Sequence, residues 1–362
     1  MKIALAALGL LTSLGLATAQ TSSSQALGYN IYTYPAGAST SINCFPLYPN
    51  PIFVGTVTGV TSNELTVAGA TFASGSLSTA ASPYFVVLTS SPQAGRSMRI
   101  TANSFLSGSS SNVLTVDTGD NTTLTTPLNL SGYAVVPNEA TVQIFPAYTL
   151  NTLFGTTPTT LQFINGGATA TAADSVAIYN ATARKFDEYF FNTTLNIWNR
   201  VGGGTVNAGN TIIYPESAPR ITRKLPNSPT SRVEGLAGMV PVAAPLLKMP
   251  GNATVYSGFR LPVPVLLSWT TTAPISLQGW TSGSSFAQAP AISVLSANSL
   301  SGLGYFLNSA TTSWYTSSGA PAYSISVVGP EINPTAGVIY VNRVTGSTFP
   351  FIKFSGLPYP IY

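Results

Sequence analysis

Apolar and polar residues alternate with a period of two along most of this chain, and no stretch sustains the 3.6-residue period of a long amphipathic helix. Phe53-Val54-Gly55-Thr56-Val57-Thr58-Gly59-Val60 and Leu65-Thr66-Val67, joined by Thr61-Ser62-Asn63-Glu64, read as a β-hairpin. Tyr84–Thr89, Met98–Thr101, Leu114–Val116 and Val142–Phe145 continue the pattern between turns rich in Ser, Gly and Asn. Ser62-Asn63-Glu64-Leu65-Thr66-Val67 returns as Ser111-Asn112-Val113-Leu114-Thr115-Val116, a small repeat inside this region. Tyr148 to Phe154 is the best candidate for a short helix, acting as a connector. The expected class is all-β, and residues 21–157 are expected to form a compact barrel-like or sandwich domain.

A larger repeat follows. Tyr189-Phe190-Phe191-Asn192, with Trp198 six residues on, is matched by Tyr305-Phe306-Leu307-Asn308 and Trp314. Ala208-Gly209 before Ile212-Ile213-Tyr214 is likewise matched by Ala336-Gly337 before Val338-Ile339-Tyr340. Two related antiparallel β units are therefore expected, one over 158–245 including a proline-rich basic bridge, the other over 246–362. In the first, strands are expected at Val176–Tyr179, Lys185–Phe191, Leu195–Arg200 and Thr211–Tyr214. Short strands in a meander leave an apolar face that must pack on something. A tryptophan held at one offset in both copies fills the core of its unit; the alternative for Trp198 and Trp314 is a stacking platform for sugars.

The N-terminal residues lead to an expectation of export. Lys2, the apolar run Ile3 to Leu16 and Ala17-Thr18-Ala19 before Gln20 form the three regions of a secretory signal over 1–20. Its apolar run of about 14 residues falls short of the roughly 20 that span a bilayer. No later stretch is long and apolar enough, so no transmembrane segment is expected, and the expected location is secreted, extracellular or at the cell surface. The single cysteine, Cys44, excludes an intramolecular disulfide. Charged residues make up 7% of the chain, against a typical value of about 25%. A net charge of +4 gives no broad field for nucleic acid. Such a weakly charged, Thr-rich surface suits packed arrays and matrices, so self-association or a cell-envelope polysaccharide is the expected partner.

The chain contains no histidine, which removes Ser-His-Asp and Cys-His pairs, imidazole acid–base work and histidine metal sites together. Asp117-Thr118-Gly119 resembles the loop triplet of aspartic proteases, but no second copy exists to share a proton with it, and an Asp-Gly turn is the simpler reading. Asp117, Asp120 and Asn121 are candidate oxygen ligands for calcium, without EF-hand spacing. Asp187 and Glu188 are adjacent, so in a strand they point to opposite faces and cannot form a glycosidase pair with each other. Trp280, in a Gly/Ser loop, is a candidate ligand platform. Arg220, Arg223, Lys224 and Arg232 are candidate contacts for an anionic glycan, the alternative being a solvated linker. No catalytic residue and no cofactor is implied.

From Phe53 onward the chain resembles an uncharacterised family of secreted proteins of verrucomicrobial-type bacteria. The resemblance lies in Phe53 to Val57 through Leu65-Thr66-Val67, Gly95 to Thr101 followed by Leu114-Thr115-Val116, Val142 to Phe154, and the Tyr-Phe-Phe…Trp unit with its Ala-Gly pair. It implies an exported β-rich bacterial protein and brings no activity or cofactor. The expected function is a non-enzymatic secreted or cell-surface structural or adhesion protein. A carbohydrate-binding protein using exposed aromatics, and a hydrolase with a carboxylate pair, are the alternatives.

Overall fold

The computed structural model of the chain describes residues 26–108, 110–119, 129–133, 137–180, 183–224, 229–244, 246–248, 253–258, 260–266, 277–278, 282–295, 300, 302–311, 313–322, 331–343 and 351–354. The chain opens with β1 (Leu27–Tyr34) and β2 (Ser39–Ile42). Six strands follow: β3 (Phe53–Val60), β4 (Glu64–Ala68), β5 (Tyr84–Leu88), β6 (Ser97–Leu106), β7 (Ser111–Val116) and β8 (Thr141–Pro146). They close into an antiparallel barrel in the order β3-β4-β7-β6-β5-β8. The alternation in the sequence explains the barrel: Leu65, Val67, Leu114, Val116, Val86, Met98 and Ile144 point inward into one apolar core. The Ser-Asn echo lies side by side, since β4 and β7 pair with Leu65 opposite Leu114. Buried Asn103 and Asn112 hold the loop after β4, Asn112 Nδ2 donating to the Ala70 and Phe72 carbonyls at 3.0 and 3.2 Å.

After the barrel come β9 (Tyr148–Thr149) and α1 (Leu150–Phe154), capped by Thr149, whose hydroxyl accepts from the Thr152 amide. The first unit then adds β10 (Ser175–Asn180), β11 (Lys185–Asn192), β12 (Ile197–Arg200), β13 (Ile212–Ile213), β14 (Arg220–Arg223) and β15 (Arg232–Met239). The second unit runs β16 (Leu246–Lys248), β17 (Ala253–Ser257), β18 (Val265–Leu266), β19 (Leu277–Gln278), β20 (Ala291–Leu295), β21 (Gly302–Asn308), β22 (Ser313–Thr316), β23 (Glu331–Ile332), β24 (Val338–Asn342) and β25 (Phe351–Phe354).

The two units share one plan. The first builds a sheet in the order β12-β11-β10-β14-β2 and the second in the order β22-β21-β20-β24-β17. Registers agree residue by residue: Val176 faces Tyr189 as Ile292 faces Tyr305, and Phe191 faces Trp198 as Leu307 faces Trp314. Smaller pairings match too, β13 with β9 as β23 with β18, and β1 with β15 as β16 with β25. The first repeat therefore begins at β1, and the barrel is an insertion within it. Tyr48 and Ala147 flank that insertion, where the second copy passes directly from Pro262 to Pro264 through Val263. Trp198 and Trp314 are both fully buried at the centre of their units' cores, which is the core role expected of them.

Four sequence expectations are corrected. Leu27 to Ile42 pairs with β15 and β14 of the first unit and takes no part in the barrel. Ile212-Ile213 does not join the main sheet and pairs with Tyr148-Thr149. The counterpart of β24 is β14, in the bridge, because Arg220 meets Ala177 as Ile339 meets Ser293. The Ala-Gly match of the sequence thus joined two positions that differ in space. The stretch Tyr148 to Phe154 splits into a two-residue strand and the five-residue helix.

The two sheets meet through reciprocal contacts of the kind a two-fold axis generates. Gly337 N donates to Ile42 O at 2.9 Å, and Ala218 N donates to Tyr256 O at 3.3 Å, with bridges Asn43 to Ala336 and Ser217 to Ser257. Cys44 and Gly258, the equivalent residues next in line, touch across this axis. A Cβ on Gly258 would lie well inside 3.0 Å of the Cys44 thiol. The barrel docks by its outer face: Phe145 stacks on Tyr48 with ring centroids 4.8 Å apart, and Phe85 sits edge-on to Tyr214 at 5.4 Å. Ser97 of the barrel donates to Glu216 of the first unit at 3.0 Å and receives a bond from Arg260 of the second unit at 3.3 Å.

Candidate functional site: the seam cleft

Where the barrel meets the first unit, a cleft of about 290 Å³ opens, lined by Arg99, Tyr179, Asn180, Asp187, Tyr189, Asn210, Thr211 and Tyr214, with Ile178 and Ile212 below. Four local choices build it. The outward register of β6 aims Arg99 from the barrel across the seam. The hairpin β10–β11 sets Ile178 opposite Asp187. Asn180 ends β10, and its side chain accepts from the Ala183 amide at 2.9 Å and donates to Asp187 at 3.1 Å. Tyr214 follows β13 and stands against the barrel's Phe85.

Burial and neighbouring groups shift four titratable side chains here: Asp187, Tyr179, Tyr189 and Tyr214. Burial pushes the Asp187 carboxyl up, but hydrogen bonds from Asn180 and Arg200 and the Arg200 charge outweigh it and hold the group below its ordinary value. Arg200 Nη2 lies 2.5 Å from Asp187 Oδ1. Burial raises Tyr179, Tyr189 and Tyr214; bonds to Thr211 and Arg99 offset part of the rise at Tyr189 and Tyr214. All three phenols stay protonated at neutral pH and can both donate and accept. Arg99 Nε is buried in the cleft wall with no hydrogen-bond partner among the described residues. Tyr179 also belongs to an aromatic group with Phe186 and Tyr256, at centroid distances of 5.3 and 4.8 Å, and Arg220 caps the Phe186 ring at 4.5 Å.

The sequence candidates fall elsewhere. Arg223 is buried, donates to Pro35 O at 2.6 Å and Thr230 O at 3.1 Å, and lies 4.0 Å from buried Asp174. Lys224 reaches Ala170 O at 2.8 Å and Glu188 at 3.4 Å. Arg232 holds the Leu161 and Ile164 carbonyls, both at 2.6 Å, and pairs with Glu234. These cations tie loops to strands, and β14, which carries Arg223 and Arg220, is an inner strand of the sheet. Asp187 and Glu188 point to opposite faces, toward Arg200 and Lys224 respectively. Asp117 Oδ1 accepts from Gly119 N at 2.9 Å, an Asp-Gly turn after β7. Asp120, Asn121 and Trp280 lie outside the described residues, as does the signal over 1–20. Cys44 is fully buried, and burial pushes its thiol up to about 11.

No local sequence signal joins the cleft residues, because they come from the barrel and from the repeat unit that the barrel interrupts. The internal repeat shows which of them the fold requires. Tyr189 is matched by Tyr305, Asn192 by Asn308 and Trp198 by Trp314. Tyr179, Phe186, Asp187 and Arg200 are instead matched by Leu295, Gly302, Leu303 and Thr316. The scaffold positions are retained, and these four positions are not. Comparison of the chain with family models, with characterised proteins and with solved structures finds no match.

Proposed function

We propose that the protein is a non-enzymatic, exported or cell-surface protein of structural or adhesive role that works by recognition, with the seam cleft as its contact site. One observation carries this: the polar groups of the cleft form a hydrogen-bonding lining whose protonation does not change near neutral pH. Asp187 is ionised and neutralised by Arg200, and the phenols are locked in their neutral form. Such a lining binds and orients, and it offers no group poised to take and return a proton. Export is supported by the apolar run Ile3 to Leu16 and its Ala17-Thr18-Ala19 boundary. Among the described residues no helix is long and apolar enough to cross a membrane. Cell fractionation with immunodetection tests the location. Recovery in the medium or at the surface is expected, and purely cytoplasmic recovery sinks the proposal.

A further inference from the structure

The ribbon of β1 and β15 is a two-stranded sheet. Met239 exchanges both backbone bonds with Tyr48, at 2.8 and 3.0 Å, and Val240 N donates to Ala26 O at 3.0 Å. The register therefore turns the amides of Gly28, Asn30, Tyr32 and Tyr34 toward β15 and those of Leu27, Tyr29, Ile31 and Thr33 outward. Among the described residues, no group pairs with this outward edge. Edge strands are commonly blunted by a lysine, a proline or a bulge. The eight residues of β1 carry none of these. The exposed face of the strand is apolar instead: Leu27 is 75% exposed, Tyr29 63% and Ile31 56%, with Val233 of β15 beside them at 63%. No charged side chain lies on that face of either strand. On the inner face of the same strand Asn30 is 5% exposed, and its Nδ2 has no hydrogen-bond partner among the described residues. A buried amide of this kind calls for a partner.

We infer that the protein pairs with a second copy of itself through β1, edge to edge and antiparallel, about a two-fold axis at Asn30. That register sets Tyr29 opposite Ile31 of the second copy and Leu27 opposite its Thr33, so every outward amide and carbonyl of the strand meets a partner. Aromatic and β-branched side chains then face each other across the exposed side. The two Asn30 residues become a non-hydrogen-bonded pair, the closest kind of cross-strand pair, and each Nδ2 can donate to the other's Oδ1. This self-complementary amide identifies the occupant as a second copy. The uncharged face brings no like charges together in such a contact. Eight residues at about 3.4 Å span about 27 Å. An edge of that length buries less than the roughly 800 Å² per partner of a standard complex, so the dimer is expected to dissociate in the micromolar range. The contact lies outside the seam cleft and does not depend on it.

The test is sedimentation velocity of the full chain over a concentration series, with cross-linking to read the register. Twice the chain mass is expected at about 200 µM, falling to a single chain on dilution, with a dissociation constant on the order of 10 µM. Ile31→Lys sets a charge against Tyr29 of the second copy and should weaken the dimer about tenfold or more, with the melting temperature of the dilute protein unchanged. In the predicted register Ile31 lies diagonal to its own copy at about 7–8 Å, so Ile31→Cys should be joined by a short bismaleimide. Buried Cys44 is silent to the reagent, and Val54→Cys, at an exposed position of the barrel, is the control. Three results overturn the inference: a single-chain mass at about 200 µM, a dimer indifferent to Ile31→Lys, or cross-linking of Ile31→Cys no faster than that of Val54→Cys. Any of these leaves the recognition role of the seam cleft standing.

Discussion

Transposing Cys44 and Gly258 probes the two-fold relation between the repeats directly. The two residues occupy equivalent positions and touch across the axis, so the space between them holds one side chain. Cys44 fills it and is fully buried. Cys44→Gly removes a buried methylene and thiol, at a cost of about 2 kcal/mol from lost transfer energy and the cavity left behind. Gly258→Cys places a second side chain where a Cβ alone already falls inside 3.0 Å of the thiol, an overpacking cost of about 3 kcal/mol. Independent effects would sum to about 5 kcal/mol. Made together, the two changes exchange the occupant and refill the same space. One loss remains: the Arg260 amide bonds the Cys44 thiol, and its counterpart is Pro46, which has no N–H to offer. The double variant is therefore expected within about 1–2 kcal/mol of the native protein. The assay is urea unfolding followed by the fluorescence of buried Trp198 and Trp314. A double variant as unstable as the sum of the singles refutes the pseudo-symmetric junction, as does a Gly258→Cys variant of native stability.

Other outcomes follow from the same structure. Asp174→Ala strips the Asn165 and Lys224 amides of bonds at 2.8 and 2.7 Å and leaves Arg223 buried beside a void. A loss of about 3–5 kcal/mol is expected in the same unfolding assay, and a loss under 1 kcal/mol contradicts the pairing. Asp187 is held below its ordinary value of 3.8, so the stability it contributes is present above that pH and is lost as pH falls through the lower folded value. Melting curves of native protein and Asp187→Asn should differ by a constant amount from about pH 5 to 8 and converge below pH 3.8; convergence near neutrality would contradict the assignment. Cys44, buried and raised to about 11, should resist a disulfide reagent at pH 8 until urea unfolds the chain, and rapid labelling of the native protein would refute its burial. Gly95, at φ +87 and against the Ala244 carbonyl in the segment between β15 and β16, should tolerate no side chain. Gly95→Ala is expected to lower the melting temperature by several degrees through strain and lost docking, on the order of 2 kcal/mol.

The β class was legible because alternation in segments such as Leu65-Thr66-Val67 and Leu114-Thr115-Val116 is a local property that tertiary packing here only exploits. The repeat was legible at Tyr189 to Trp198 and Tyr305 to Trp314 because those residues fill equivalent cores and vary little. The insertion was not. Barrel strands and flanking repeat strands share one period and one composition, so nothing local marks Tyr48 and Ala147 as the two sides of an excursion. A faint signal did exist: Asn43-Cys44-Phe45-Pro46-Leu47 lines up with Ser257-Gly258-Phe259-Arg260-Leu261, sharing a Phe and a Leu at matched spacing. The bridge misled for a different reason. Charge and proline together suggest solvated linker, yet Arg220 lies over Phe186 and buried Arg223 satisfies the loop carbonyls of Pro35 and Thr230. The cleft escaped because Arg99 and Tyr214 are brought together by the docking of barrel on sheet, a long-range event without a sequence period.

Hydrogen–deuterium exchange with and without cell-envelope polysaccharide tests the central claim most directly. The seam-cleft account predicts slowed exchange confined to peptides covering 175–192 and 207–216 and the barrel strand around Arg99, with the equivalent second-copy segment 291–308 unchanged. Protection of the second copy to the same degree, or protection confined to the far end of the barrel, would contradict it.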